Sequence, residues 1–122
     1  MFLLESLKMM DKTIKNLLGL KTNLDKMSKD VHEFEKAAGF DETSEKRLIL
    51  ALKKEIKEYE VAGSKVKKQN KLMDMVVLVM QISRRKSISL DDAWVRWWKK
   101  SAKYLGKHKT KYKKEFNAGK RH

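Results

Sequence analysis

Lys71-Leu72-Met73-Asp74-Met75-Val76-Val77-Leu78-Val79-Met80-Gln81-Ile82 holds the most apolar run of the chain. From Met75 to Met80 every residue is apolar, which leaves a helix built from it almost no polar side. Such a helix belongs at the centre of a bundle. The run is far shorter than the roughly 20 apolar residues a membrane span requires, so no membrane segment is expected. Asp74 opens the run and Lys71 stands one helical turn before it, on the same face.

The flanks extend the helical pattern in both directions. Upstream, Ser44 and Glu45 precede Leu48, Ile49, Leu52, Ile56 and Tyr59, which reads as a capped helix to about Ala62, ended by Gly63-Ser64. Lys65 to Asn70 is polar and basic, so the central helix is expected to become buried only from about Leu72 and to run to Ile82. Ser83-Arg84-Arg85-Lys86-Ser87 reads as a basic connection. Ser89-Leu90-Asp91-Asp92 then resembles a capping box, launching a helix through Ala93, Trp94, Trp97, Trp98, Ala102 and Leu105 to Gly106.

Two more helices are expected near the start. Leu3, Leu4, Leu7, Met10, Ile14, Leu17 and Leu18 keep the helical period before Gly19, and a second helix starts at a capping Thr22 or Asn23 and continues to Ala38, with Gly39 after it. The expected architecture is all-α, a bundle of about five helices in a single domain over residues 1–106. Residues 107–122 form a basic tail, read as frayed helix or as disordered until bound.

Composition agrees with this class. The 122 residues contain no Pro, the strongest helix breaker, and no Cys, so neither a disulfide frame nor a thiolate site exists. The absence of Cys fits a reducing cytoplasm, and the opening Met1-Phe2-Leu3-Leu4-Glu5 lacks the basic leader of a secretory signal. A cytoplasmic protein is expected. The net charge is +14, yet residues 1–62 hold 12 Lys/Arg against 12 Asp/Glu, while residues 63–122 hold 18 against 4. The second half is the basic half, suited to phosphate-rich partners unless its lysines serve only solubility.

Chemistry concentrates at Glu55 and Glu58, one turn apart, and Asp74. If the helices that carry them form an antiparallel hairpin, the acids converge, and carboxylates held together repel unless a cation joins them. Magnesium, a hard ion with oxygen ligands, or manganese is the natural occupant. Alone, a Glu-x-x-Glu pair in a Lys-rich helix reads as surface acids. His32, His108 and His122 are scattered and suit neither a metal nor a catalytic dyad.

Several segments taken in order resemble one family. Val31-His32-Glu33-Phe34-Glu35-Lys36 and Gly39-Phe40-Asp41-Glu42-Thr43-Ser44, then Leu52-Lys53-Lys54-Glu55-Ile56-Lys57-Glu58, then Lys71-Leu72-Met73-Asp74-Met75-Val76, and last Ile88-Ser89-Leu90-Asp91-Asp92-Ala93-Trp94 are similar to the MazG-like all-α nucleoside triphosphate pyrophosphohydrolases, which include the dimeric all-α dUTPases. The likeness covers residues 31–104. It implies cleavage of a nucleoside triphosphate to monophosphate and pyrophosphate, with Glu55, Glu58 and Asp74 as metal-holding catalytic residues. It further implies Lys99, Lys100 and Lys103 on the triphosphate, Trp94 or Trp98 as base-stacking surfaces, and a homodimer. Read from spacing alone, Trp94 and Trp98 form a packed stripe, which leaves Trp97 as the better interface candidate.

Lys54 and Lys71 depart from the family pattern by replacing acids. An ammonium at 71 is long enough to reach Glu55 and Glu58 and take over the role of the cation, in which case no metal is needed and the bundle is retained without catalysis. The rival expectation is therefore an inactive module that grips nucleic acid or an acidic protein. Arg84, Arg85 and Lys86 would supply the loop contact, and Lys107, Lys109, Lys111, Lys113 and Lys114 the tail. A purely structural or regulatory module is the third reading.

Overall fold

The computed structural model describes residues 22–101. Among them the chain forms four α-helices and no strand: α1 (Leu24–Ala38), α2 (Glu45–Val61), α3 (Lys65–Arg85) and α4 (Leu90–Ser101). The helix expected over residues 2–18 and the tail at 107–122 lie outside the described residues. The chain divides into two compact units, one over residues 23–91 and the other made of residues 1–22 and 92–122.

In the first unit α3 packs against both α2 and α1. Ser44 and Ser64 begin α2 and α3 by accepting hydrogen bonds from the backbone N–H of Arg47 and Lys67, at 3.2 Å each, which satisfies donors that a helix start leaves without partners. Since Ser64 caps a helix that begins at Lys65, the basic stretch 65–70 is its exposed first turns. The central helix is thus longer at both ends than the apolar run suggests, because α3 continues to Arg85 rather than stopping at Ile82. The basic connection shrinks to Lys86 and its neighbours. Lys68 ties the hairpin, with its ammonium 4.3 Å above the Tyr59 ring centre and donating to the Tyr59 carbonyl at 2.8 Å.

The core is thin. Leu48 and Met80 are the fully buried apolar residues among those described, while Ser28, Glu35, Gln81 and Ser83 are buried polar ones. The expectation that 75–80 is apolar because it is enclosed on all sides fails in part: Val76 and Val79 are 41% and 42% exposed. The physical reason is that, among the described residues, α3 packs against α1 and α2, and neither covers this side. Leu72, Val76 and Val79 follow the helical spacing along one edge, and Ile49 and Ile56, two turns apart on α2, are also exposed. With Lys68 level with Tyr59 and Lys71 level with Glu55 and Glu58, this antiparallel register puts Ile56 near the level of Leu72 and Ile49 near that of Val79. No helix among the described residues is long and apolar enough to cross a membrane.

In α4, which runs on into the second unit, Trp98 meets Trp94 and Trp97 edge to face, with ring centres 5.6 Å and 4.7 Å apart. Trp94 and Trp98 are half-buried with their indole N–H groups enclosed, and Trp97 is exposed. That arrangement agrees with the packing stripe read from their spacing.

Candidate functional site

Helical spacing brings the site together. Glu55 and Glu58 project from one face of α2, Lys71 and Asp74 from one face of α3, and the antiparallel hairpin sets the two pairs opposite each other. The Lys71 ammonium lies 2.5 Å from a Glu58 oxygen, 3.3 Å from Glu55 and 3.9 Å from Asp74. Lys54 stands 3.9 Å from the other Glu58 oxygen. The three acids singled out in the sequence do surround one point, and Lys71 fills it.

The electrostatics follow the contacts. The hydrogen bond from Lys71 holds the Glu58 carboxyl below its ordinary range, and the hydrogen bond to Glu58, with the charge of Glu55 beside it, pushes Lys71 up. One Glu55 oxygen, Oε2, is buried and makes no hydrogen bond; the ammonium at 3.3 Å is the cation beside it. A magnesium ion needs oxygen ligands at about 2.0–2.1 Å in near-octahedral array. An ammonium in contact with Glu58 and beside Glu55 occupies that space, and Asp74 is half-exposed at the margin. As arranged, these residues do not fit a divalent cation, and among the described residues no group of three or more His, Asp or Glu is set to hold one.

A second cluster was hidden in the sequence. Glu35 on α1 is fully buried and takes both ends of the Arg85 guanidinium: Nη1 donates to Oε1 at 3.1 Å and Nη2 to Oε2. Gln81 donates to the same carboxylate at 3.2 Å, and His32 Nδ1 lies 3.4 Å from it. Arg85 also donates to the carbonyls of Thr43 at 2.7 Å and Phe40 at 3.4 Å, tying the end of α3 to the turn between α1 and α2. Burial alone would raise the Glu35 carboxyl; the Arg85 hydrogen bond and charge, with Gln81 and His32, bring it below its ordinary value. Glu35 sits at 35, 46 positions before Gln81 and 50 before Arg85, and only its place on the apolar side of α1 near Ser28 and Val31 hinted at burial.

The residues expected to meet nucleic acid are therefore divided. Arg85 faces inward, which corrects its assignment to a loop contact. Lys86 pairs with Glu45 at 3.0 Å and stays largely exposed. Arg84 is exposed and borders a cleft of about 320 Å³ together with Asp25, Ser28 and Ser83. Lys99 and Lys100 are exposed on the last turn of α4, in the other unit. Lys103, Lys107, Lys109, Lys111, Lys113 and Lys114 lie outside the described residues. No family model, curated protein or solved structure matches this chain.

Proposed function

We propose that this chain is a divergent MazG-like bundle in which Lys71 stands where the metal would be, and that it works as a non-catalytic module binding nucleic acid through its basic second half. The observation that carries this reading is the ammonium of Lys71 in contact with Glu58 and 3.3 Å from Glu55. A fixed internal cation bridges the acids but offers no exchangeable ligand position, which is what a metal needs in order to polarise a phosphate or a water. The function then falls to the charge of residues 63–122, with Arg84, Lys86, Lys99 and Lys100 as exposed contributors. We further propose a homodimer, formed through the exposed edge of Ile49, Ile56, Leu72, Val76 and Val79.

The competing reading is a nucleoside triphosphate pyrophosphohydrolase, with magnesium or manganese on Glu55, Glu58 and Asp74 and phosphates on Lys99, Lys100 and Lys103. Convergence of the three acids favours it. One set of measurements separates the two. Wild-type protein should release no pyrophosphate from a panel of ribo- and deoxynucleoside triphosphates with either metal, should give no heat with magnesium in titration calorimetry, and should bind oligonucleotides with an affinity that falls steeply with salt. Lys71→Glu, which returns an acid to the cluster, should acquire magnesium binding. Metal-dependent turnover by the wild type, or magnesium binding by the wild type that is lost in Asp74→Asn, would establish the hydrolase instead.

A further inference from the structure

Residues 1–62 are neutral as a sequence, but the fold does not distribute that neutrality evenly. On α2 the acids are Glu45, Glu55, Glu58 and Glu60, and the cations are Lys46, Arg47, Lys53, Lys54 and Lys57. Three of the four acids turn toward cations of α3 and its end: Glu55 and Glu58 share Lys71, and Glu45 meets Lys86. The cations of α2 itself are all exposed. Among the described residues only Lys54 meets an acid, at 3.9 Å, and that acid, Glu58, already holds Lys71. Glu60 alone remains to offset them.

Their spacing is ordered. At about 100° per residue, Lys46, Lys53 and Lys57 fall within some 40° of one another on the helix surface, and Arg47 and Lys54 form a second row one side over. The first row is about 16 Å long at ~1.5 Å rise per residue. Over that length a duplex presents about ten phosphates. The first row lies on the outward side of α2, opposite Leu48, the residue it buries, and the second flanks it.

We infer that the outward face of α2 is a second nucleic-acid contact, laid along the phosphate backbone by Lys46, Arg47, Lys53, Lys54 and Lys57, and made positive because Glu45, Glu55 and Glu58 turn toward α3 and its end while these cations face outward. The inference rests on the nucleic-acid reading above and adds a surface in the half of the chain whose sequence charge is nil. It requires no base-specific group, since Lys contacts to phosphate fix position without reading sequence.

The experiment uses the full chain and fluorescent duplex and single-stranded oligonucleotides, with affinity followed between about 50 and 200 mM salt. Lys53→Gln with Lys57→Gln should weaken binding about tenfold at the low-salt end and reduce the slope of log affinity against log salt by about two. Lys46→Gln with Arg47→Gln should do the same, which guards against a folding defect in one pair; thermal melts of both should match the wild type because the side chains are exposed. Unchanged affinity and slope in both pairs, with loss when Lys107, Lys109, Lys111, Lys113 and Lys114 are all changed to Gln, would overturn the α2 surface and keep the nucleic-acid reading. No oligonucleotide binding by the wild type at low salt would overturn both. Equal competition by polyglutamate, lost in the same α2 variants, would assign the surface to an acidic protein and overturn the inference.

Discussion

At the scale of single residues, two buried or half-buried ion pairs divide the polar chemistry of the first unit, and they differ in what they do. Lys71 occupies a cluster open to solvent on one side, so its contribution to stability is small and screened. Glu35 and Arg85 are enclosed, with Arg85 side-chain exposure of 13% and none for Glu35, and removing one partner would strand the other. Glu35→Gln should therefore lower stability by about 3 kcal/mol at neutral pH, measured by denaturant unfolding. The pH dependence has a defined sign. The folded Glu35 carboxyl titrates below its ordinary value, so in the window between the two the unfolded chain binds more protons, and its stabilisation is lost as pH falls through the folded value. Glu35→Gln should lose that part of the acid-side slope. An acid limb as steep in the variant as in the wild type would show that other carboxyls cause it.

At the scale of elements, the helix ends carry more information than the helix middles. α1 ends on Gly39 with φ +84°, and the N–H of Phe40 returns to the Glu35 carbonyl at 3.0 Å, with Phe34 and Phe40 meeting edge to face at 5.7 Å. The end of α3 repeats the same closure, with the Ile88 N–H on the Ser83 carbonyl at 2.9 Å and the Ser87 N–H on Arg84 at 3.3 Å, but places Ser87 at φ +53° where glycine is favoured. Ser87→Gly should raise stability by about 0.5 kcal/mol by relieving that left-handed residue, read as an upward shift of the melting temperature; a downward shift would mean that the lost side chain matters more than the backbone. The starts of α1 and α4 are joined differently. Asp91 accepts from the N–H groups of Leu24 and Asp25 at 3.0 Å and 3.4 Å, while Asp25 accepts from those of Leu90 and Asp91 at 2.7 Å and 3.2 Å and from the Ser89 hydroxyl. Each carboxylate caps the other helix, and the Ser89 hydrogen bond is the main reason Asp25 titrates below its ordinary value. Asn23, expected as a possible cap, makes no side-chain capping bond, because Asp91 already serves the donors at that end.

At the scale of the whole molecule, the thin core and the exposed apolar edge point the same way. A unit with Leu48 and Met80 as its fully buried apolar residues gains by covering Ile56, Leu72, Val76 and Val79, and a two-fold pairing of one such edge with itself is the simplest closed solution. Val76→Asp should shift the proposed dimer to monomer in sedimentation velocity, and a wild type that sediments as a monomer at all concentrations would refute the pairing. Legibility follows the range of the interaction. The helices at 24–38, 45–61 and 90–101 are readable because the apolar period is local, as are the Ser44 cap and the Gly39 end, and the meeting of Glu55, Glu58, Lys71 and Asp74 follows from a short hairpin turn. The Glu35–Arg85 pair and the crossed Asp25 and Asp91 caps were not readable, since their partners lie tens of residues apart and no local pattern marks them. The openness of α3 was missed for another reason: an apolar run records that a surface is hydrophobic, not which neighbour covers it.

The ammonium among Glu55, Glu58 and Asp74 belongs to the polypeptide itself. A counter-ion supplied by the polypeptide is present from synthesis onward in a fixed ratio of one per chain, and chelation or scarcity in the surroundings cannot strip it. Such a hairpin closes its acidic patch without waiting on ion supply.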